Sequence, residues 1–333
     1  MAEHEFAKYI RILARGKTKS RSLTGEEAEA AMAMVLGGEV EPEQLGAFLM
    51  LMRLKEETAE EVTGFTRAAR ASLGLPSGGP VPDLDWSSYA GKRRQLPWFL
   101  LAAMVLVQGG VRIFMHGTDG HTEGRLYTGA ALLALGLPVT RSLDEAAAAI
   151  GETGFAYLPL GQLSPKLDEI INLKPILGLR SPVHTVARLL NPLRAPHLLQ
   201  GIFHPSFMPI HQQAMRLLGE PAAMVFRGEG GEIERRPNKA LSVSTVHAGT
   251  CCEDHWPASL ADPLQAEDGE MDIGRLAAVW SGADDDAYGI AAITGTLAIA
   301  LKLLGRADNV ETAQREAEVL WQARNHARMA LAV

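Results

Sequence analysis

Cysteine is almost absent from this 333-residue chain: only Cys251 and Cys252 are present, side by side. Adjacent cysteines rarely close a relaxed bridge, so no disulfide framework is available and a reducing, cytoplasmic compartment is expected. Aromatics make up 6% of the chain. Few aromatics accompany the basic clusters, with Trp86, Tyr89, Trp98 and Tyr127 as the stacking candidates, which gives an aromatic base-reading platform little support. The apolar stretch after Pro97 is too short to span a bilayer and stops at Gly109-Gly110. The start, Met1-Ala2-Glu3-His4-Glu5, is acidic and shows no signal-peptide pattern. Glycine is scarce where it matters most. Tyr89-Ala90-Gly91-Lys92-Arg93-Arg94-Gln95 lies between an extended stretch and an apolar helix, a turn that faces the ligand crevice in α/β proteins. A phosphate cradle at such a turn uses several glycines, whereas this one has Gly91 and three cations.

What is present suffices for a sizeable core: 47% of the residues are hydrophobic, and two domains or subdomains are expected. The net charge of -7 hides an asymmetry. Ten acids and a single base, Arg275, fall between positions 253 and 286, leaving 31 bases against 29 acids elsewhere. Bases gather at the turn, along an acid-free run of Lys8, Arg11, Arg15, Lys17, Lys19 and Arg21, and mid-chain at Lys166, Lys174, Arg180, Arg188 and Arg194. Such a distribution allows a basic face on an acidic protein.

Residues 1–78 read as an all-helical domain. Thr24-Gly25-Glu26-Glu27 and Thr58-Ala59-Glu60-Glu61 are capping boxes, Glu41-Pro42-Glu43 opens a further helix, and Pro76-Ser77-Gly78-Gly79-Pro80 is a hinge. Residues 79–333 alternate strand and helix patterns. Strands are expected at 84–87, 113–116, 155–159, 199–202 and 223–227, and helices at 97–108, 122–135, 142–150, 206–218, 287–304 and 310–329. The fold class expected is α/β with a separate all-α N-terminal domain, its mostly parallel central sheet flanked by helices. From 163 to 193 the pattern turns helical again, and this segment is expected to rejoin the N-terminal unit.

The stretch 23–70 resembles the N-terminal domain of anthranilate phosphoribosyltransferases through Gly38-Glu39-Val40, Gln44, Ala47-Phe48-Leu49, Arg53-Leu54-Lys55 and Glu60-Glu61-Val62. Gly154-Phe155-Ala156-Tyr157-Leu158 is similar to that family's Gly-Phe-Ala-Phe-Leu strand, and Arg180, Thr185 and Leu190-Asn191-Pro192-Leu193 look like its arginine-to-proline segment. The resemblance implies a phosphoribosyltransferase-like fold, a homodimer formed through the N-terminal helices, and transfer from phosphoribosyl pyrophosphate with Mg²⁺. This chain departs where that chemistry resides. The family's Gly-Thr-Gly-Gly-Asp loop falls around 87–93, where Gly91 alone remains; its Lys-His-Gly-Asn-Arg reads Met115-His116-Gly117-Thr118-Asp119. Its Mg²⁺-holding Asp-Glu pair reads Gly231-Glu232. Ser88-Tyr89-Ala90-Gly91-Lys92-Arg93-Arg94-Gln95-Leu96-Pro97 with the later Met-His-Gly resembles a divergent branch of nucleic-acid-binding proteins without the biosynthetic activity.

The function expected is therefore nucleic-acid binding, single-stranded or without sequence preference. The candidate phosphate contacts are Lys92, Arg93, Arg94, Gly91, Arg180, Arg188, Lys17, Lys19 and Arg21. For each basic cluster a solvated surface stays open as an alternative. His116 is a candidate general base or a core histidine; Arg180 is the position that faces the acceptor in the family. The alternative function is an Mg²⁺-dependent phosphoribosyl or glycosyl transferase using phosphoribosyl pyrophosphate, for which Glu232 is the candidate metal ligand. His247, Cys251, Cys252 and His255 match no structural-zinc spacing.

Overall fold

Thr24 and Thr58 each accept the amide three residues on, while Glu27 and Glu61 reach back, so both capping boxes form and start the helices Gly25–Leu36 and Ala59–Ser72. The two helices pack closely at Gly64, where a Cβ would lie 2.2 Å from the Gly25 carbonyl oxygen. Ala7–Ala14 and Pro42–Lys55 complete the N-terminal helical layer. The computed structural model describes residues 3–16, 18–262 and 267–329.

Seven strands form one sheet: β1 (Leu84–Ser88), β2 (Ile113–Gly117), β3 (Phe155–Pro159), β4 (His197–Ile202), β5 (Ala222–Arg227), β6 (Leu241–His247) and β7 (Thr250–Trp256), in the order β3-β2-β1-β4-β5-β6-β7. The first five run parallel and the last two antiparallel. Helix Phe99–Gln108 is apolar on every side because it is buried on every side, between the sheet and helix Ala287–Leu303. On the opposite face, Leu167, Ile170 and Val186 from the short helices after β3 share one apolar cluster with Phe48 and Leu49 of the N-terminal layer.

Three expectations need correction. The helix expected over 310–329 ends at Ala323, because Arg324 leaves the helical region at φ -58° and ψ 153°. The helix expected over 122–135 begins only at Thr128, because Leu126 is drawn into a backbone bridge with Lys92, donating and accepting at 2.7 and 2.8 Å. The β6–β7 hairpin was not anticipated. Its turn places Ala248 at φ 47° and Gly249 at φ 78°, a geometry that usually advertises itself by Asn-Gly, and its strands mix Ser, Thr, Cys and His with Val.

The chain leaves β1 toward β2 and β3, then returns to the other side of β1 for β4. Ligands of open α/β sheets sit beyond the carboxyl ends of strands at such a switch point. Here that place lies beyond Ser88 and Ile202.

Candidate functional site

Beyond β1 the backbone turns through Gly91, at φ 68°; a Cβ there would sit 3.0 Å from the Tyr127 ring. Conformation and packing both call for glycine. The amides of Ala90 and Gly91 donate to one oxygen of Glu232, each at 2.6 Å, and Ser88 Oγ donates to the other at 2.8 Å. Arg125 ties down the Ala90 and Gly91 carbonyls at 2.9 and 3.1 Å. A carboxylate of the same chain therefore fills the space that a phosphate would take between these amides.

The three cations of this turn have three different environments. Lys92 is not available to a ligand, which corrects the expectation for it: its ammonium is buried against the Glu234 carboxylate. Burial pushes Glu234 up to about 7, with Lys92 holding it back. Arg94 is exposed and faces Glu267 at 3.4 Å. Its carbonyl accepts the Asp268 amide at 2.8 Å, and Asp268 accepts the Leu96 amide at 2.7 Å, so the acidic region lies along the basic turn. Arg275 gathers Asp268, Asp284 and Asp286. Arg93 alone of the three is exposed and unpaired among the described residues.

His116 is a core histidine, which removes it as a general base. It is fully buried, with Nδ1 2.7 Å from the Tyr89 hydroxyl and Nε2 3.2 Å from Asp85. Trp86, Tyr89, Trp98 and Tyr127 are buried too, so none of them offers a face to a base.

The fold gathers charge elsewhere, beyond β4. Arg53 from helix Pro42–Lys55, Arg180 before helix Val183–Arg188, and Arg188 at its end line one cleft of about 120 Å³. None of the three meets a carboxylate within ion-pair distance among the described residues. The cleft's single carboxylate, Glu57, accepts from Thr185 Oγ1 at 3.0 Å. Arg188 is held firmly: Nε donates to the Gly201 carbonyl at 3.1 Å, Nη1 to the His184 carbonyl at 2.6 Å, and its Cζ lies 5.8 Å from the Tyr89 ring centre. Burial brings Arg188 down to about 10, still charged at neutral pH. Arg180 is lowered by burial and by Arg125 and Arg53.

Two polar atoms in the cleft lack a protein partner, His184 Nε2 and Ser181 Oγ. His184 Nδ1 lies 3.1 Å from the Ser181 carbonyl, which can only accept, so Nδ1 carries the proton and Nε2 is an acceptor. Burial, then His121 and the neighbouring arginines, keep the ring neutral. The cleft thus presents fixed positive charge together with a buried acceptor, a combination that suits an anion also carrying an O–H or N–H.

The remaining candidates lie apart. Lys19 and Arg21 are exposed near the N-terminal helix, and Arg21 grips Glu27 at 2.6 and 2.7 Å. Lys17 lies outside the described residues. Glu232 has both oxygens engaged at the turn, and Gly231 supplies no carboxylate. No three His, Cys, Asp or Glu converge among the described residues. Mg²⁺ held by Glu232 therefore does not fit this arrangement. Cys251 and Cys252 are consecutive in β7 and project to opposite faces, so they cannot share a metal with His247 and His255. No described helix is long and apolar enough to cross a membrane.

The sequence reading missed Arg53 as a cleft residue, along with Phe203 and His204, which line its far side. Phe203 follows the apolar strand Leu-Leu-Gln-Gly-Ile and looks like its continuation; nothing local signals that it is exposed.

Residues 7–73 match the helical bundle domain of the glycosyl transferase family. The uncharacterised protein YbiB of Escherichia coli K12 is 27% identical over 247 residues, 73% of this chain and 76% of that protein. The anthranilate phosphoribosyltransferase of Anaeromyxobacter sp. Fw109-5 is 30% identical over 230 residues, covering 69% and 68%. Among solved structures, the Saccharomyces cerevisiae anthranilate phosphoribosyltransferase in complex with PRPP and Mg superposes with a TM-score of 0.78 at 15% identity, over 98% of this chain and 96% of that one. The Thermus thermophilus enzyme gives 0.74 at 22% identity, over 96% and 98%.

Proposed function

The chain belongs to the anthranilate phosphoribosyltransferase family, and on that premise we propose that it binds nucleic acid, holding the backbone in the cleft of Arg53, Arg180 and Arg188. One observation carries this reading: three arginines without carboxylate partners converge at the switch point of the sheet, beside a turn whose amides are already filled by Glu232. Backbone contacts of this kind give affinity with little sequence preference and a steep dependence on salt. The proposal includes a homodimer through the N-terminal helices, supported by Leu54, which is 82% exposed near the end of helix Pro42–Lys55.

Phosphoribosyl transfer is the competing reading, favoured by the yeast fold relative solved with PRPP and Mg. It would require Glu232 to leave Ala90 and Gly91, and it would have to manage with Met115, Asp119 and Gly231 in place of the family's lysine, arginine and aspartate.

The two are separated by titrating a fluorescein-labelled oligonucleotide at two salt concentrations, with phosphoribosyl pyrophosphate and Mg²⁺ as competitor and in a parallel melting experiment. Binding that weakens steeply with salt, and less steeply in Arg180→Ala, is expected, with no melting shift from the competitor. Absent oligonucleotide binding together with a clear shift at millimolar competitor would overturn the proposal.

A further inference from the structure

A second cationic cleft lies on the other side of the segment that follows β4. Its volume is about 260 Å³, and Arg227, Arg236, Lys239 and Ser242 line it together with Pro205 and Met208. Arg227 is the last residue of β5, so this cleft also lies at the carboxyl end of the parallel strands. The three side-chain cations make no hydrogen bond or ion pair among the described residues, although the Lys239 amide donates to the Arg236 carbonyl at 3.2 Å. Arg236 is half-buried; its burial and then the charge of Arg227 hold it below its ordinary value, while Glu229 and Tyr288 pull it back up in part. Three unpaired cations around one concavity repel each other and gain by admitting an anion.

The two clefts share a wall. Phe203, His204 and Phe207 face the first, while Pro205 and Met208, from the same short stretch, face the second. Phe203 sits on this ridge 45% exposed, with the His204 ring edge-on at 4.8 Å. An exposed phenyl ring between two arginine-lined clefts adds nothing to the capture of a simple anion. For a single strand it is a stacking surface, because every base has a face to lay on an aromatic ring.

We propose that Arg227, Arg236 and Lys239 form a second phosphate cleft and that Phe203 stacks a base between the two, so that one single strand crosses the ridge. The inference rests on the reading that the Arg53–Arg180–Arg188 cleft holds a nucleic-acid backbone. It adds that the ligand is unpaired, since a stacked base must leave its partner, and that it spans at least two phosphates.

The test is fluorescence anisotropy of the full chain with fluorescein-labelled dT12 across a salt series, with heparin as a base-free polyanion. Arg227→Ser/Lys239→Ser removes two exposed cations and should reduce the magnitude of the log–log salt slope by about 1.4, about 0.7 for each single-strand phosphate contact. Phe203→Ala should weaken dT12 binding roughly 5- to 150-fold with the slope kept, Phe203→Tyr should restore it, and heparin binding should ignore position 203. Melting curves confirm that the variants are folded. Tight wild-type dT12 binding with affinity and slope unchanged in both variants would overturn this inference and leave the first cleft's role standing. A loss at position 203 that is equal for heparin overturns the stacking role. No wild-type binding to dT12 overturns the single-strand inference, and the oligonucleotide and competitor titration then decides the first cleft's role.

Discussion

The Lys92 ammonium and the Glu234 carboxylate form an ion pair inside the protein, their side chains 2% and 0% exposed. The pair joins the turn after β1 to the start of helix Phe99–Gln108, whose Phe99 amide Glu234 also accepts at 2.9 Å. A lysine that reads as a ligand contact is thus part of the scaffold. Lys92→Met should cost roughly 3–5 kcal/mol in urea denaturation, because it strands a buried carboxylate. Arg93→Ala, at an exposed position, should stay within about 0.5 kcal/mol. Equal stability of the two variants would contradict the buried assignment.

Glu232 satisfies the Ala90 and Gly91 amides and the Ser88 hydroxyl at once. Glu232→Ala leaves these donors unpaired and should cost about 2–4 kcal/mol. It also empties the space between the two amides. Millimolar pyrophosphate should then raise the melting temperature of the variant but not that of the wild type; no differential shift would show that the turn cannot hold an anion even when vacated.

Arg180 and Arg188 line the same cleft but are held differently. Arg188 donates to two carbonyls and lies over Tyr89, whereas no such bonds fix Arg180. Arg188→Ala should therefore lower both stability and oligonucleotide affinity. Arg180→Ala should lower affinity alone, reducing the salt slope by about 0.7. Calorimetry and anisotropy on the two variants check the split.

Three buried histidines make the fold sensitive to acid. Burial is the largest cause for each: His121 is pulled down to about 4, His211 to about 3, and His184 well below its ordinary 6.5. In the unfolded chain each takes up its proton near 6.5, while the folded chain resists. Stability therefore falls as pH drops through 6.5 and goes on falling to about 4 for His121 and about 3 for His211, by up to about 1.4 kcal/mol per pH unit per group. Glu234, raised from 4.5 to about 7, acts oppositely between those values. Glu61, Asp119 and Asp168, also raised by burial, offset the loss in the same sense as Glu234 but start from lower ordinary values, so the histidine loss is expected to show first on acidification from pH 6.5. Urea midpoints at pH 7 and pH 5 should show it, and His211→Asn should shallow the slope.

Local signals made much of the fold legible. Thr24-to-Glu27 and Thr58-to-Glu61 announced their helices, and the β-type runs at 113–116 and 155–159 announced strands, because caps and apolar periodicity act through neighbouring residues. The β6–β7 hairpin was illegible for the same reason, since its turn runs through Ala248 and its strands are polar in part.

The site divides along the same line. The sequence by itself determined that 89–95 carries three cations and a single glycine, and that Gly231 precedes Glu232 with no second carboxylate beside it. Only the tertiary structure decided which charges are free. Glu232 and Glu234 lie some 140 positions from the turn, yet they occupy its amides and neutralise Lys92. Arg53, Arg180 and Phe203 come from three distant segments and share one cleft. Whether a charge is available to a ligand depends on which opposite charge lies within a few ångströms and on how much water reaches it, and both are set by packing between residues far apart in the chain.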